Sequence, residues 1–161
     1  MRAFLYFDGS ALAKHYTAEK GTAIVDQIIG LVHPKQIVIS IWGVAEVVAV
    51  LNRKRNVKSI AADEFALLMV NLLERAEDFW DIKADSEDVR TSFPLIVEHN
   101  INATDALHLH LALKVKQLVE QFESMVGLVT SDQRLLKAAK AEGLTTIDPE
   151  QISEGELKKM L

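Results

Sequence analysis

The sequence predicts an α/β fold, a three-layer α/β/α sandwich whose central, mostly parallel sheet has four to five strands. Two observations carry that prediction. Short apolar runs rich in β-branched and aromatic residues alternate with amphipathic stretches of helical period, and parallel neighbours need such helical crossovers. In addition, two acids, Asp8 and Asp132, stand where strands give way to helices. In open α/β sheets this is the edge where sites form.

Ala3 to Phe7 is a short apolar run ending at Asp8-Gly9-Ser10, which reads as a buried strand feeding a helix that begins near Ser10. Thr22 to Val32 places Ile24, Val25, Ile28, Ile29 and Val32 at helical spacing, and His33-Pro34 stops it. Gln36 to Ser40 reads as the second strand. A helix from Trp42 to about Arg55 follows, then its hairpin neighbour from Ile60 to about Phe79, with the turn between them at Asn56 to Ser59. Phe79 to Ala84 alternates apolar and polar residues, as a short strand at or near a sheet edge does. Ser86 to His99 is helical in composition, with Pro94 expected to start, kink or split it. Ala103 to Phe122 is apolar nearly all round, which predicts a deeply packed helix. Met125 to Thr130 is another buried strand, Ser131 to Glu142 a helix stopped at Gly143, and Leu144 to Ile147 a last strand. The tail from Glu150 carries little pattern.

The chain has 161 residues, the size of one domain, and residues 1–161 are expected to form a single one. No apolar run approaches the ~20 residues of a membrane span, and Met1-Arg2-Ala3-Phe4 lacks a signal peptide's apolar core, so a soluble, cytoplasmic protein is expected. With 18 basic and 23 acidic residues the net charge is −5, which argues against a protein that simply coats nucleic acid. Cysteine is absent, so any metal must be held by oxygen or histidine.

Glu46 is the residue that most needs explaining. It interrupts the run Val44-Ala45-Glu46-Val47-Val48-Ala49-Val50-Leu51, with Trp42, Ala49 and Val50 near its face at helical spacing. A carboxylate withdrawn from water must be protonated, paired or bound to a cation. Asp8, Asp105 and Asp132 are ordinary taken singly, because each lies at a helix start where an acid caps N–H groups or meets the helix dipole. Together with Glu46 they form a set of four acids whose mutual repulsion a hard divalent cation, Mg²⁺ or Mn²⁺, would remove. Such a centre suits phosphodiester hydrolysis.

The residues resemble the PIN-domain ribonucleases, particularly the VapC-type toxins of bacterial toxin–antitoxin pairs. The resemblance rests on Tyr6-Phe7-Asp8-Gly9-Ser10-Ala11-Leu12 with Lys14-His15-Tyr16, on Glu46 in its helix, on Thr104-Asp105-Ala106-Leu107-His108-Leu109, and on Thr130-Ser131-Asp132. It implies a PIN-like fold and a metal-dependent endoribonuclease in which Asp8, Glu46, Asp105 and Asp132 are the catalytic and metal-binding quartet, with Ser10 and Thr130 as supporting hydroxyls. It further implies an antitoxin partner and a homodimer. Gly9 departs from the family pattern, where Ser or Thr is commoner. Lys14 and the basic cluster Arg53, Lys54, Arg55 and Lys58 are candidate RNA contacts. His108 and His110, two residues apart on a helix, point to different sides and cannot readily share one ion, so His108 reads as a hydrogen-bonded structural residue.

Two other readings stand beside the nuclease. A PIN-like binding domain with a vestigial site would keep the fold without the chemistry. A Mg²⁺-dependent phosphatase of the haloacid-dehalogenase kind would also place an Asp after the first strand, but it needs a second Asp where this chain has Ser10.

Overall fold

In the computed structural model, which describes residues 2–161, five strands form one all-parallel sheet: β1 (Ala3–Phe7), β2 (Ile37–Ile39), β3 (Trp80–Asp81), β4 (Met125–Val129) and β5 (Thr145–Ile147). Their spatial order is β3-β2-β1-β4-β5, so the chain builds outward from β1 first to one side and then to the other. Tyr6 pairs with Val38 on one side, and Phe7 with Val129 on the other. The switch in direction therefore lies between β1 and β4, and the crevice beyond their carboxyl ends is where such sheets take ligands.

Alternation along β1 divides the core. Leu5 and Phe7 point to one face, packed by α1 (Gly9–Ala13), α2 (Thr22–Leu31), α3 (Ile41–Asn56), α4 (Ala62–Asp78) and α8 (Glu154–Met160). Tyr6 points to the other face, covered by α5 (Ser86–His99), α6 (Ala103–Val119) and α7 (Gln133–Ala141). The expected deep packing of α6 is present: Ala106 to Leu109, Leu111, Ala112 and Val115 are all buried. Asp88 of α5 ties the two helices by accepting from Lys114 Nζ at 2.7 Å and lying 2.9 Å from His110 Nε2. Burial works against the charge of Asp88, but these partners hold its carboxyl below the usual range.

The structure differs from the sequence expectations in four places. The tail forms α8, whose Ser153 and Glu156 make a reciprocal capping box and whose Leu157 is buried. Pro94 neither starts nor splits α5, which is one helix from Ser86 to His99. The carbonyl its missing N–H leaves free belongs to Arg90, and both residues face solvent. The expected edge strand shrinks to Trp80–Asp81, and α6 ends at Val119 in a 3-10 turn over Glu120–Phe122. At the end of α7, Gly143 turns the chain with φ of 73°, the left-handed geometry that glycine adopts without strain.

Candidate active site

Asp8 follows β1 directly. It is buried, and its carboxylate accepts from Ala11 N at 2.7 Å, from Ser10 Oγ at 3.0 Å and from Thr130 Oγ1 at 2.6 Å. It is thus the N-cap of α1 and the hydrogen-bond partner of both hydroxyls that sequence reading placed beside it. Burial pushes its carboxyl up, while the Thr130, Ala11 and Ser10 donors pull it back. Thr130 is shared: its Oγ1 also accepts from Asp132 N at 3.1 Å, so one buried hydroxyl couples the chain ends after β1 and β4.

Asp132 caps α7 itself, its Oδ1 accepting from Arg134 N and Leu135 N, both at 2.9 Å. Ser131, just before it, has a buried hydroxyl with no partner among the described residues. Asp105 sits in the first turn of α6, where the cap is Asn102: Asp105 N donates to Asn102 Oδ1 at 2.8 Å and Asn102 Nδ2 to Asp105 Oδ2 at 2.7 Å. Burial pushes the Asp105 carboxyl up to about 6, and the negative charges of Asp132, Asp8 and Glu46 add to the effect, opposed by His108. The other three acids therefore all act on Asp105 as like charges sharing one region.

Glu46 is less enclosed than its apolar run suggests. The buried side of α3 is Gly43, Val44, Val47 and Leu51, whereas Trp42 and Ala49 are exposed and Val50 is half-buried. The Glu46 side chain is 37 % exposed and faces the crevice, where Oε2 accepts from Gly9 N at 3.1 Å and lies 2.7 Å from His108 Nε2. Gly9 is required by that fit. A Cβ at position 9 would stand 2.4 Å from Glu46 Cβ and 2.2 Å from its Oε2, closer than real atoms approach.

His108 is buried, and both of its ring nitrogens are engaged. With Nε2–H donating to Glu46, Nδ1 accepts from the Tyr6 hydroxyl at 2.8 Å, and that hydroxyl lies 3.3 Å from Ser40 Oγ. Ser40 is in turn the N-cap of α3, accepting from Gly43 N. A buried chain thus joins β1, α6 and α3, the elements that carry or adjoin Asp8, Asp105 and Glu46. Desolvation drives the Tyr6 hydroxyl far above its ordinary range, so it remains a protonated donor. Sequence reading found His108 as a structural histidine but missed Tyr6 and Ser40, whose partners are distant in the chain. It also missed Asp81 at the carboxyl end of β3, a further acid on the same sheet edge, paired with Lys83.

Of the candidate RNA contacts, Lys14 is not available. It is buried, with Nζ 2.6 Å from Glu150 Oε1 and 3.0 Å from Lys20 O. Arg53, Lys54 and Arg55 occupy the last turn of α3, Arg55 stacking 4.6 Å over the Phe65 ring. Arg53 is seven residues beyond Glu46, or about 10 Å along the helix.

As metal ligands, the four acids offer only oxygen, the donor set of a hard cation, and such a cation would relieve both the burial and the neighbouring negative charges that push the Asp105 carboxyl up. Among the described residues, three ligand atoms approach within 4.8 Å of one another only at Glu98, His99 and Glu142, between the ends of α5 and α7. The quartet is more open than that, each acid being held in place by its own protein donors.

A parallel five-stranded sheet between two helical layers, with acids at the carboxyl ends of its central strands, defines a three-layer α/β/α protein. The PIN domain model matches residues 5–141, and the chain belongs to the PIN domain family. PIN domains are generally metal-dependent nucleases. Similar solved structures include the crystal structure of PAE2754 from Pyrobaculum aerophilum, with TM-score 0.65 at 19 % identity over 91 % of this chain and 90 % of that one. The crystal structure of FitAcB from Neisseria gonorrhoeae aligns with TM-score 0.57 at 13 % identity over 92 % of this chain and 99 % of that one. At these identities the likeness concerns the fold. A comparison with curated proteins gives no match. No helix among the described residues is long and apolar enough to cross a membrane.

Proposed function

We propose that the protein is an endoribonuclease dependent on Mg²⁺ or Mn²⁺, hydrolysing RNA phosphodiester bonds to leave 5′-phosphate and 3′-hydroxyl ends, with Asp8, Glu46, Asp105 and Asp132 as its catalytic acids. The observation that carries this reading is geometric: Asp8 and Asp132 are joined through Thr130 Oγ1, Glu46 is joined to the residue after Asp8 through Gly9 N, and Asp105 stands in the first turn of α6, where burial first and the other three negative charges second push its carboxyl up. A structural salt-bridge network would supply counter-charges here; this crevice gathers like charges instead.

Each acid is positioned before any ligand arrives. Asp8 is fixed by Ser10, Ala11 N and Thr130, Glu46 by Gly9 N and the His108 ring, and Asp132 by the first N–H groups of α7. Asp105 would hold the cation together with Asp8 and Glu46, and Asp132 would complete the site or orient the attacking water. The cation supplies a hydroxide-generating and charge-neutralising centre at the phosphate. His108 keeps the Glu46 carboxylate aimed into the crevice, and the half-exposure of Glu46 leaves it reachable by substrate.

RNA cleavage by the pure protein in Mn²⁺ should disappear with EDTA and fall by at least about a hundredfold in Asp105→Asn, on the scale of removing one centre of transition-state charge stabilisation. Asp105→Asn is the preferred variant because its carboxyl already retains a proton up to about pH 6, so the neutral amide costs the fold little. Undiminished cleavage in that variant would overturn the assignment.

The biological setting consistent with the VapC-type resemblance is a toxin held inactive by an antitoxin protein, acting as a homodimer. Exposed apolar side chains at Trp42 of α3 and at Leu67, Val70 and Leu73 of α4 support a partner surface on that layer.

A further inference from the structure

An acid cluster can accept one phosphate through a cation, but it repels the phosphates on either side of it. A strand bound there needs protein cations close by, and Lys14 is already paired. Arg134 and Lys137 meet that need. They line a groove of about 360 Å³ with Ala138 and Ala141 of α7 and with Glu98, His99 and Asn100 at the end of α5. These four α7 positions are spaced i, i+3, i+4 and i+7, one continuous stripe of the helix. The stripe begins two residues from Asp132, whose carboxylate accepts from Arg134 N.

Three further features fit a polyanionic strand. Among the described residues, neither Arg134 nor Lys137 takes part in an ion pair, whereas Lys14, Lys83, Lys114, Arg75 and Arg90 all do. From Arg134 to Lys137 is about 4.5 Å of helical rise, of the order of one nucleotide step. Glu98 stands on the opposite wall, and the His99 ring is held there by Glu142 at 2.7 Å. With the cations on α7 and Glu98 across from them, the phosphates of a bound strand would lie along α7 and its bases toward the end of α5.

We propose that this groove is the track of the RNA strand leaving the acid cluster, with Arg134 and Lys137 each holding a backbone phosphate. The inference rests on the nuclease reading above. Lys140 supplies an internal control: it lies on the same helix with the same charge, but lines a different cleft with Gln133, Leu136, Thr146 and Asp148.

The test measures fluorescence anisotropy of a short fluorescein-labelled single-stranded RNA of mixed sequence, with EDTA present so that the strand binds without being cut. Arg134→Ala and Lys137→Ala should each weaken binding about three- to tenfold and reduce the slope of log affinity against log salt by about 0.7, the value of one lost phosphate contact on a single strand. Lys140→Ala should leave both quantities unchanged. All three residues are exposed, so the fold is retained. Equal effects from all three variants, or none from any, would overturn the track. Cleavage assayed separately in Mn²⁺ tells the two readings apart. A wild-type protein that cuts RNA while Arg134→Ala and Lys137→Ala behave like Lys140→Ala removes the track and keeps the nuclease; one that neither binds nor cuts removes both.

Discussion

Asp105 reports on the whole crevice through its proton. Its carboxyl rises from 3.8 to about 6 on folding, so between about pH 4 and 6 the folded protein holds a proton that the unfolded chain has released. The stabilisation from that bound proton is complete below about pH 4 and is lost as pH rises through about 6. In EDTA, the melting temperature of the wild type minus that of Asp105→Asn should therefore fall across this window and level off above it. A flat difference would mean that neither burial nor the neighbouring acids hold the Asp105 carboxyl up. Asp8, Asp105 and Asp132 were legible in the sequence because helix starts and strand ends have local signatures. Glu46 was legible for a partly different reason than its real one: it is an acid at the wall of a crevice, with its apolar neighbours on other sides of α3. Tyr6, Ser40 and the exact duty of His108 were not legible, because Tyr6 and His108 are 102 positions apart and nothing local announces their contact.

At the scale of elements, periodicity recovered the five strands and most of the helices, since alternation and helical spacing follow from backbone geometry alone. Two misreadings have physical causes. Pro94 is tolerated where both it and Arg90, whose carbonyl it leaves without a helical partner, are exposed residues, a fact about exposure that a sequence does not carry. α8 was missed because seven residues give too few turns for a periodic signal, although Ser153 and Glu156 at capping-box spacing were there to be read. That helix contributes to the core through Leu157, which is completely buried in the cluster with Leu5, Phe7 and Ile147. Leu157→Ala should cost about 2–4 kcal/mol in chemical denaturation. A loss below about 1 kcal/mol would show that α8 is only loosely docked.

At the scale of the molecule, the helices of both layers differ in how completely they hide their apolar residues. α6 is sunk into the core, whereas α3, α4 and α5 leave Trp42, Leu67, Val70, Leu73, Phe93 and Val97 open to water. Leu67 is 62 % and Val97 84 % exposed, well beyond what packing requires. For the proposed homodimer, gel filtration over a range of protein concentrations should show an apparent mass near twice 17.9 kDa at the upper end, and Leu67→Glu together with Val70→Glu should return it to the monomer position. A monomer at every concentration would exclude self-association through this layer. The acidic net charge of the chain is likewise a whole-molecule average that hides a local basic stripe: the cations of α7 are few, and only the fold sets two of them beside the acids.

The contact between Gly9 and Glu46 sets the aperture of the crevice. Because a Cβ at position 9 would collide with the first carbon of the Glu46 side chain as well as with its carboxylate, shortening that side chain would not make room. A serine at position 9 would act as a wedge before it acted as a hydroxyl: α1 and α3 would have to part, and the Gly9 N–H would lose its carboxylate. The spacing between two helices here is thus written in one hydrogen atom, and a serine at this position requires a wider separation of α1 and α3 than this chain has.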